Sequence, residues 1–230
     1  MPAMQCVIPA AGKGTRMRPL TEMLPKPLVR VCGVPILTHV LEALPSEVDE
    51  VVLVVKYRKD DLRAQYGNEY AGTRIVYVEQ GEPDGTGGAL LSAQDVLDDR
   101  FMVILADDLH GPDALRALIR EDLAVLAARV DDPRHFGVIV QSESGVLVEI
   151  KEKPEDPSSN LVNTGAMMLD RRIFACVTPM VGGEVRLTDM LTLLAERAPV
   201  QVVEQSAWCP VGRPEDIPLA EAYLAKRSGH

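Results

Sequence analysis

One segment near the amino terminus combines small residues and positive charge in a way that suits a polyphosphate. It follows the apolar run 6–8 and reads AAGKGTRMRPLTEMLPKPL from residue 10 to residue 28. Small residues let a backbone approach a ligand closely, and their N–H groups can point inward as donors. Basic side chains in the same segment add positive charge: Lys13, Arg16, Arg18 and Lys26. The residues of this phosphate-binding loop that are predicted to contact the ligand are Ala10, Ala11, Gly12, Gly14 and Thr15.

Two better-known phosphate-binding patterns do not fit this segment. A Walker A loop needs G-x-x-x-x-G-K-[ST], and no such spacing occurs here. A dinucleotide fingerprint needs a third glycine three positions after the second, where this chain has Met17. The loop therefore binds its phosphates in a different way from kinases and dehydrogenases of those two classes.

The charge balance bounds the class of ligand. The 230 residues carry a net charge of −10, whereas a nucleic-acid-binding module normally shows a basic patch and a high pI. The segment from Ala10 to Arg30 opposes that balance, because five Lys and Arg against one Glu give it a local charge of +4. We therefore expect a small anionic ligand and no nucleic-acid partner.

Neither the cysteines nor the apolar runs indicate an exported or membrane-bound protein. The four cysteines lie far apart and form no C-x-x-C pair, which favours free thiols in a reducing compartment. No apolar run is long enough to span a membrane, and the amino terminus lacks the pattern of a signal peptide. We expect a cytoplasmic protein with no membrane partner.

The elements that must position the loop follow an alternating pattern up to about residue 130. Short β-branched runs predict strands, and the amphipathic stretches between them predict helices. The predicted strands are Gln5–Pro9, Glu50–Val55, Arg74–Val78, Phe101–Ala106 and Leu123–Val130. The predicted helices are Ile36–Leu44, Lys59–Tyr66, Gly88–Leu97 and Asp113–Arg120. This alternation predicts an α/β, Rossmann-like fold with a mixed, mostly parallel sheet flanked by helices.

The pattern changes after Arg134, although nothing marks a domain boundary. The runs Phe136–Gln141 and Val146–Ile150 flank Glu143-Ser144-Gly145, which is typical of a hairpin. The later predicted elements are strands Leu161–Leu169 and Val200–Glu204, and helices Arg171–Val177, Leu187–Arg197 and Glu215 to about Arg227. We expect one continuous domain over residues 1–230.

Five segments, in this order, resemble the sugar-nucleotide pyrophosphorylases, which join a sugar 1-phosphate to a nucleoside triphosphate. They are residues 10–37, 80–89, 105–108, 152–154 with 163–165, and 187–189 with 208–216. The chain looks most like the glucose-1-phosphate thymidylyl- and uridylyltransferases. The resemblance covers nearly the whole chain, and its first segment is the most specific. It implies a nucleotide-binding half over about 1–110 and a sugar-phosphate-binding half over about 111–230.

The reaction implied by the resemblance needs charge neutralisation and alignment, and no nucleophilic side chain. A sugar-phosphate oxygen attacks the α-phosphorus of the triphosphate in line with departing pyrophosphate. Arg16 suits a bidentate grip on the β- and γ-phosphates. Lys26 lies between Pro25 and Pro27, which stiffen its backbone, and resemblance places it near the α-phosphate. We expect both side chains to be exposed in the empty site.

The base and the sugar of the nucleotide are expected at residues 80–88. The Gln80 amide offers a donor and an acceptor that match the edge of uracil or thymine, and Gly85 and Thr86 belong to the same loop. By resemblance to thymidylyl- and uridylyltransferases, UTP or dTTP is the expected substrate. The alternative is that Gln80 is a solvated residue at the end of a strand.

Asp107, at the end of the predicted strand 101–106, is the candidate ligand for Mg²⁺, which prefers oxygen ligands. Asp108 is the second candidate. The resembling enzymes place their second metal-binding aspartate in a Trp-x-Asp pattern, where this chain has Pro210. Three alternatives are open: substrate phosphates and water hold the metal to a greater extent, Asp108 or Asp216 replaces the missing aspartate, or catalysis is impaired. Our hypothesis is an active enzyme with a weakened metal site.

The resemblance also assigns the acceptor pocket. It implies that Glu152 hydrogen-bonds sugar hydroxyls and that Lys153 contacts the sugar phosphate. Other residues expected in this pocket are Gly137, Asn163 and Thr164. Glu184 and Asp189 are weaker candidates, since Asp189 could instead help to start a helix.

Two other functions stay open from the sequence. One is a cytidylyltransferase of the same fold, acting on phosphocholine or a similar small phosphate ester. The other is a non-catalytic nucleotide-sugar binding protein, suggested by Pro210 alone. Some resembling enzymes carry a C-terminal β-helix with acyltransferase activity, and we expect neither here. A homo-oligomer is compatible with the sequence.

Overall fold

A computed structural model describes residues 4–228 of the chain, and the segments below are its strands and helices. The strands are β1 Met4–Pro9, β2 Arg30–Val31, β3 Val34–Pro35, β4 Val48–Val55, β5 Glu69–Tyr70, β6 Thr73–Glu79, β7 Arg100–Ile104, β8 Asp108–His110, β9 Ala124–Arg129, β10 Gly137–Gln141, β11 Leu147–Glu152, β12 Leu161–Asp170, β13 Gln201–Glu204 and β14 Trp208–Pro210. The α-helices are α1 Ile36–Ala43, α2 Lys59–Tyr66, α3 Gly85–Ser92, α4 Pro112–Leu118, α5 Leu187–Ala195 and α6 Ile217–Ser228.

A ten-stranded mixed sheet runs through this single domain, in the order β11-β10-β12-β7-β1-β4-β6-β5, with β9 and β13 attached beside β12. Strands β7, β1, β4 and β6 are parallel neighbours. Strand β12 runs antiparallel to β7, β9 and β10. The predicted α/β fold with a mixed sheet is therefore confirmed, and the antiparallel strands belong mainly to the later part of the chain.

The sheet is buried on both faces because helices cover each of them. Successive side chains of a strand point to opposite faces, and strand β4 shows this directly. Its Val51 and Leu53 join the apolar cluster that includes Leu37 of α1 and Leu62 of α2. Its Val52 joins the opposite cluster, which includes residues of α3 and α5. Two-sided burial explains why the parallel strands are nearly continuous apolar runs.

Most predicted elements are found within one to three residues of their expected ends. The helix expected at Gly88–Leu97 instead spans Gly85–Ser92 and is followed by a 3₁₀ turn, Gln94–Val96. The helix expected at Arg171–Val177 is wrong, because only a 3₁₀ turn forms over Arg171–Ala175. The Asp170 side chain accepts a hydrogen bond from the N–H of Arg172 and starts that turn.

Two short strand pairs were not predicted from the sequence. Strands β2 and β3 form a tight hairpin through Cys32 and Gly33, both with positive φ. Strands β8 and β14 pair antiparallel although β8 ends at His110 and β14 begins only at Trp208. Pairs of two or three residues are too short to show periodicity in a sequence.

The loops that follow the parallel strands meet at one edge of the sheet. The N–H of Ala10, just after β1, donates to the carbonyl of Val54 at 2.8 Å. The N–H of Tyr57, beyond β4, donates to the carbonyl of Ala11 at 3.4 Å. This is the edge at which open α/β sheets bind ligands. Within residues 4–228, no helix is both long and apolar enough to cross a membrane.

Candidate active site

The predicted phosphate-binding loop is folded back on itself. Gly14 has φ +60°, and a Cβ at this position would lie 2.9 Å from the Cβ of Lys26. The Thr21 hydroxyl donates to the carbonyl of Gly14 at 2.7 Å. Buried Met17 anchors the 3₁₀ turn Thr15–Met17 to the core. Glycine is needed at position 14 because both its backbone conformation and the available space exclude a side chain.

Three of the four cations of this loop have no ion-pair partner among residues 4–228. Arg16 is exposed, as are Lys13 and Arg18. Among the residues that the structure describes, no carboxylate forms an ion pair with any of the three. Unpaired cations beside a glycine-containing loop would attract an anionic ligand. The expected exposure of Arg16 is therefore confirmed.

Lys26 is arranged differently from Arg16. Its Nζ forms an ion pair with Oδ2 of Asp107, and only 13% of the Lys26 side chain is exposed. The expectation that Lys26 is exposed in the empty site is therefore wrong. The buried prolines 25 and 27 hold its backbone, and the short loop after β7 brings Asp107 to it. The ion pair joins the phosphate-binding loop to the candidate metal ligand.

Asp107 lies in the turn between β7 and β8, and Asp108 is the first residue of β8. Asp107 does not cap a helix, since Gly111 is the residue that precedes α4. The Asp108 side chain is buried, and its Oδ1 accepts a hydrogen bond from Nε1 of Trp208 at 2.9 Å. Burial raises the pKa of Asp108, and so does the charge of Asp107. The Trp208 hydrogen bond and the charges of Lys26 and Arg16 oppose that rise in pKa. The Lys26–Asp107 ion pair and the influence of the Arg16 charge on Asp108 group these four residues into one candidate site.

Pro210 lies in strand β14, directly opposite Asp108 of β8. Asp216 does not join them, because its Oδ2 accepts hydrogen bonds at 2.8 Å from the N–H groups of Gly212 and Arg213. Asp216 therefore caps the turn that leads into α6. Carboxylate oxygens of Asp107 and Asp108 suit a hard divalent cation such as Mg²⁺. The described residues include no cluster of three or more Asp, Glu, His or Cys suited to a metal.

The candidate base-recognition loop is held together by Gln80. Its Nε2 donates to the carbonyls of Pro83 and Gly85, at 3.3 and 3.0 Å. Both amide hydrogens are engaged in this way, so Oε1 is the polar atom left for a ligand. The structure therefore adds a second role for Gln80, since it organises the loop whose base-binding function stays a prediction.

The same loop packs against the segment before α5. A Cβ on Gly85 would lie 2.4 Å from the carbonyl oxygen of Val185. The N–H of Gly87 donates to that oxygen at 2.9 Å, and the Thr86 hydroxyl accepts from the N–H of Leu187 at 3.1 Å. Gly85 and Thr86 thus connect the two predicted halves of the chain, and their contact with nucleotide stays a prediction.

The predicted acceptor residues gather around strands β10, β11 and β12. Gly137 pairs with Glu152, whose carboxylate accepts from the Thr188 hydroxyl at 3.3 Å. Lys153 has φ +45°, and its Nζ lies 2.8 Å from Oε1 of Glu152. Asp189 lies in the first turn of α5, where burial raises its pKa. These residues form a polar group beside the segment that carries Gly85 and Thr86.

Asn163 and Thr164 point into different surroundings. The Asn163 side chain accepts from the N–H of Gly165 at 3.0 Å and is partly exposed. The Thr164 side chain is fully buried, and its hydroxyl donates to the carbonyl of Leu126 at 2.9 Å. That hydroxyl also accepts from Nε2 of Gln205. A contact between Thr164 and substrate, still a prediction, would have to involve its backbone.

Sequence reasoning missed the positioning role of Trp208. Its ring packs edge-on against Phe136, with centroids 5.4 Å apart, while its indole N–H holds Asp108. The chain has one tryptophan, and a lone tryptophan within a site motif was the available signal. Trp208 therefore links strand β14 to both the metal candidates and the acceptor side.

Comparison with known proteins decides the family. The family model described as "Nucleotidyl transferase" matches residues 5–227. The chain belongs to the nucleotidyl transferase family. Within it, the chain is 37% identical over 238 residues to the UTP–glucose-1-phosphate uridylyltransferase AglF of Haloferax volcanii, covering 98% of each.

Two further proteins show the extent of the similarity. The bifunctional protein GlmU of Methanocaldococcus jannaschii is 40% identical over 225 residues, which cover 96% of this chain and 54% of that protein. The chain therefore spans about half the length of several curated relatives. A Bacillus anthracis structure, provisionally named a glucose-1-phosphate thymidylyltransferase and containing sucrose, matches with a TM-score of 0.87 and 28% identity. That match covers 96% of this chain and 94% of the other.

Proposed function

We propose that this nucleotidyl transferase joins a nucleoside triphosphate to a sugar 1-phosphate and releases pyrophosphate. The observation that carries the proposal is the convergence of Arg16, Lys26, Asp107 and Asp108 at the ligand-binding edge of the sheet. The unpaired Arg16 suits a triphosphate, and the paired Lys26 lies beside carboxylates suited to its metal. No other described site combines these features.

The reaction needs only bonds at phosphorus to change. An oxygen of the sugar phosphate attacks the α-phosphorus, and the bond from that phosphorus to the pyrophosphate oxygen breaks. Arg16 stabilises the charge that develops on the leaving pyrophosphate. Lys26, released from Asp107, neutralises charge at the α-phosphate and the incoming phosphate. A divalent metal held by Asp107 would neutralise triphosphate charge and help to align it.

The predicted division of the chain assigns the two substrates. Residues 1–110 bind the nucleotide, with the backbone of Ala10, Ala11, Gly12, Gly14 and Thr15 near the phosphates. Gln80, Gly85 and Thr86 form the side toward the base. Residues 111–230 bind the sugar phosphate, with Gly137, Glu152, Lys153, Asn163 and Thr164 around it. The pairing of Lys153 with Glu152 supports this, because a phosphate could displace the carboxylate from the exposed ammonium.

The preferred nucleotide is UTP or dTTP, and glucose 1-phosphate is the first acceptor to test. Support comes from the Gln80 amide and from the activities named for the Haloferax and Bacillus proteins. Mg²⁺ is the proposed metal. The four cysteines are free thiols, which supports a cytoplasmic location. The formation of a homo-oligomer stays a prediction.

A substrate matrix tests this proposal. The protein with Mg²⁺ is assayed for pyrophosphate with UTP, dTTP, CTP, ATP or GTP, each combined with sugar 1-phosphates or phosphocholine. We expect the highest rate with UTP or dTTP and a sugar 1-phosphate, and loss of that rate in Arg16→Ala. A preference for CTP with phosphocholine would identify a cytidylyltransferase instead. No pyrophosphate from any pair, together with tight binding of a nucleotide sugar, would show a non-catalytic binding protein.

A further inference from the structure

Position 210 has no carboxylate, but the residue directly opposite it on the facing strand, Asp108, has one. Strands β8 and β14 are antiparallel, with Pro210 opposite Asp108 and Trp208 opposite His110. Residues directly opposite in an antiparallel pair lie on the same face, with Cβ atoms about 5 Å apart. A carboxylate at 108 therefore projects from the same side of this strand pair as a carboxylate at 210 would.

Asp108 is held in a defined position by two neighbours. Its Oδ1 accepts the 2.9 Å hydrogen bond from Nε1 of Trp208. Its Oδ2 lies above Gly165, where an added Cβ would approach to 2.3 Å. The absence of a side chain at 165 creates the space that Oδ2 uses, and Gly165 has φ +79°. A carboxylate fixed in this way loses little further conformational freedom on binding a ligand.

The charges around Asp108 belong to the same site. Asp107 precedes it and pairs with Lys26, and the charges of Lys26 and Arg16 reach the Asp108 carboxylate. Asp216, the other acidic residue near β14, is used as a helix cap. Asp108 instead follows Asp107 directly in the chain and faces Pro210 across the strand pair.

We propose that Asp108 supplies, with Asp107, the second protein carboxylate for the divalent metal, in place of the aspartate that resembling enzymes have at position 210. In this exchange the second carboxylate comes from β8 instead of β14, so metal binding does not require an aspartate at position 210. This inference rests on the proposed function, because it concerns the metal that accompanies the triphosphate. It differs from our hypothesis of a weakened metal site, since it predicts two protein carboxylates.

Metal binding, measured without turnover, tests the exchange. Mn²⁺ binding is followed by electron paramagnetic resonance with a UTP analogue whose α,β-bridge is methylene. We expect Asp108→Asn to weaken Mn²⁺ binding at least tenfold. Adding Pro210→Asp to that variant should restore most of the affinity, because it returns a carboxylate to the facing position. Asp113→Asn, with the same charge change at an exposed position of α4, is the matched control and should bind Mn²⁺ like the wild type.

The outcomes separate this inference from the function itself. Fluorescence of Trp208 reports whether Asp108→Asn keeps the local fold, and Asp108→Ala, which also removes the carboxylate, is the second variant if it does not. Wild-type Mn²⁺ affinity in a folded Asp108→Asn protein would overturn the inference, as would failure of Pro210→Asp to restore binding. If the wild type binds Mn²⁺ with the analogue but releases no pyrophosphate from any substrate pair, the proposed function fails and the metal site stands.

Discussion

Substituting Gly88 by Ala is expected to destabilise the protein through the base-recognition loop. Gly88 lies inside helix α3, where Ala is intrinsically favoured over Gly by about 1 kcal/mol. A Cβ on Gly88 would, however, lie 1.9 Å from the carbonyl oxygen of Pro83. That oxygen belongs to backbone, so the loop rather than a flexible side chain would have to move.

The cost of that movement exceeds the helix-propensity gain. Displacing Pro83 strains the two hydrogen bonds from Gln80 Nε2, at 3.3 and 3.0 Å, each contributing about 1 kcal/mol. Overpacking a close contact costs a further ~1–3 kcal/mol. After subtracting the propensity gain, Gly88→Ala should lower the free energy of unfolding by about 2–4 kcal/mol.

Urea unfolding of Gly88→Ala measures this loss of stability, and Gly81→Ala on the same loop is the matched control. No atom lies within 4 Å of a Cβ built on Gly81. The free energy of unfolding of Gly81→Ala should therefore stay within about 0.5 kcal/mol of the wild-type value. The Michaelis constant for the nucleotide should rise in Gly88→Ala. A Gly88→Ala protein as stable as Gly81→Ala would refute the close packing of Gly88 against Pro83.

Three further predictions concern charge. Arg16→Lys keeps the charge but loses the bidentate fork, so pyrophosphate release should slow by about 10–100-fold, with thermal unfolding unchanged because Arg16 is exposed. Lys26→Met should slow turnover by about 10²–10³-fold, and an unaltered rate would remove Lys26 from the mechanism. Burial raises the pKa of Tyr66 to about 12, so stability present below pH 10 should fall between pH 10 and 12, by up to about 2 kcal/mol. Tyr66→Phe should show a smaller loss over that range, and identical pH profiles would contradict the assignment.

Periodicity predicted the parts of the fold that bury continuous apolar faces. Helix α2 was predicted at its observed bounds, because its apolar residues repeat with helical spacing and α1 and α2 cover one face of the sheet. The short pair β8–β14 was missed, since two three-residue strands far apart in the chain carry no periodic signal. That pair is what brings Trp208 and Pro210 to Asp108.

The sequence predicted the types of residue in the candidate site better than it predicted their burial and their partners. The glycine-containing loop and Arg16 were expected as the structure shows them, because backbone freedom and charge are local properties. The burial of Lys26 and its ion pair with Asp107 depend on two segments 81 residues apart, which no local pattern encodes. The capping role of Asp216 was likewise visible only in the folded chain.

The central claim is transfer of a nucleotidyl group to a sugar phosphate, and phosphorus NMR observes that transfer directly. The wild-type protein is mixed with Mg²⁺, UTP and glucose 1-phosphate, and then with dTTP in place of UTP. With at least one of the two nucleotides we expect resonances of a nucleoside diphosphate glucose and of pyrophosphate to grow in equal amounts. Orthophosphate in place of pyrophosphate, or no change with either nucleotide, would contradict the claim.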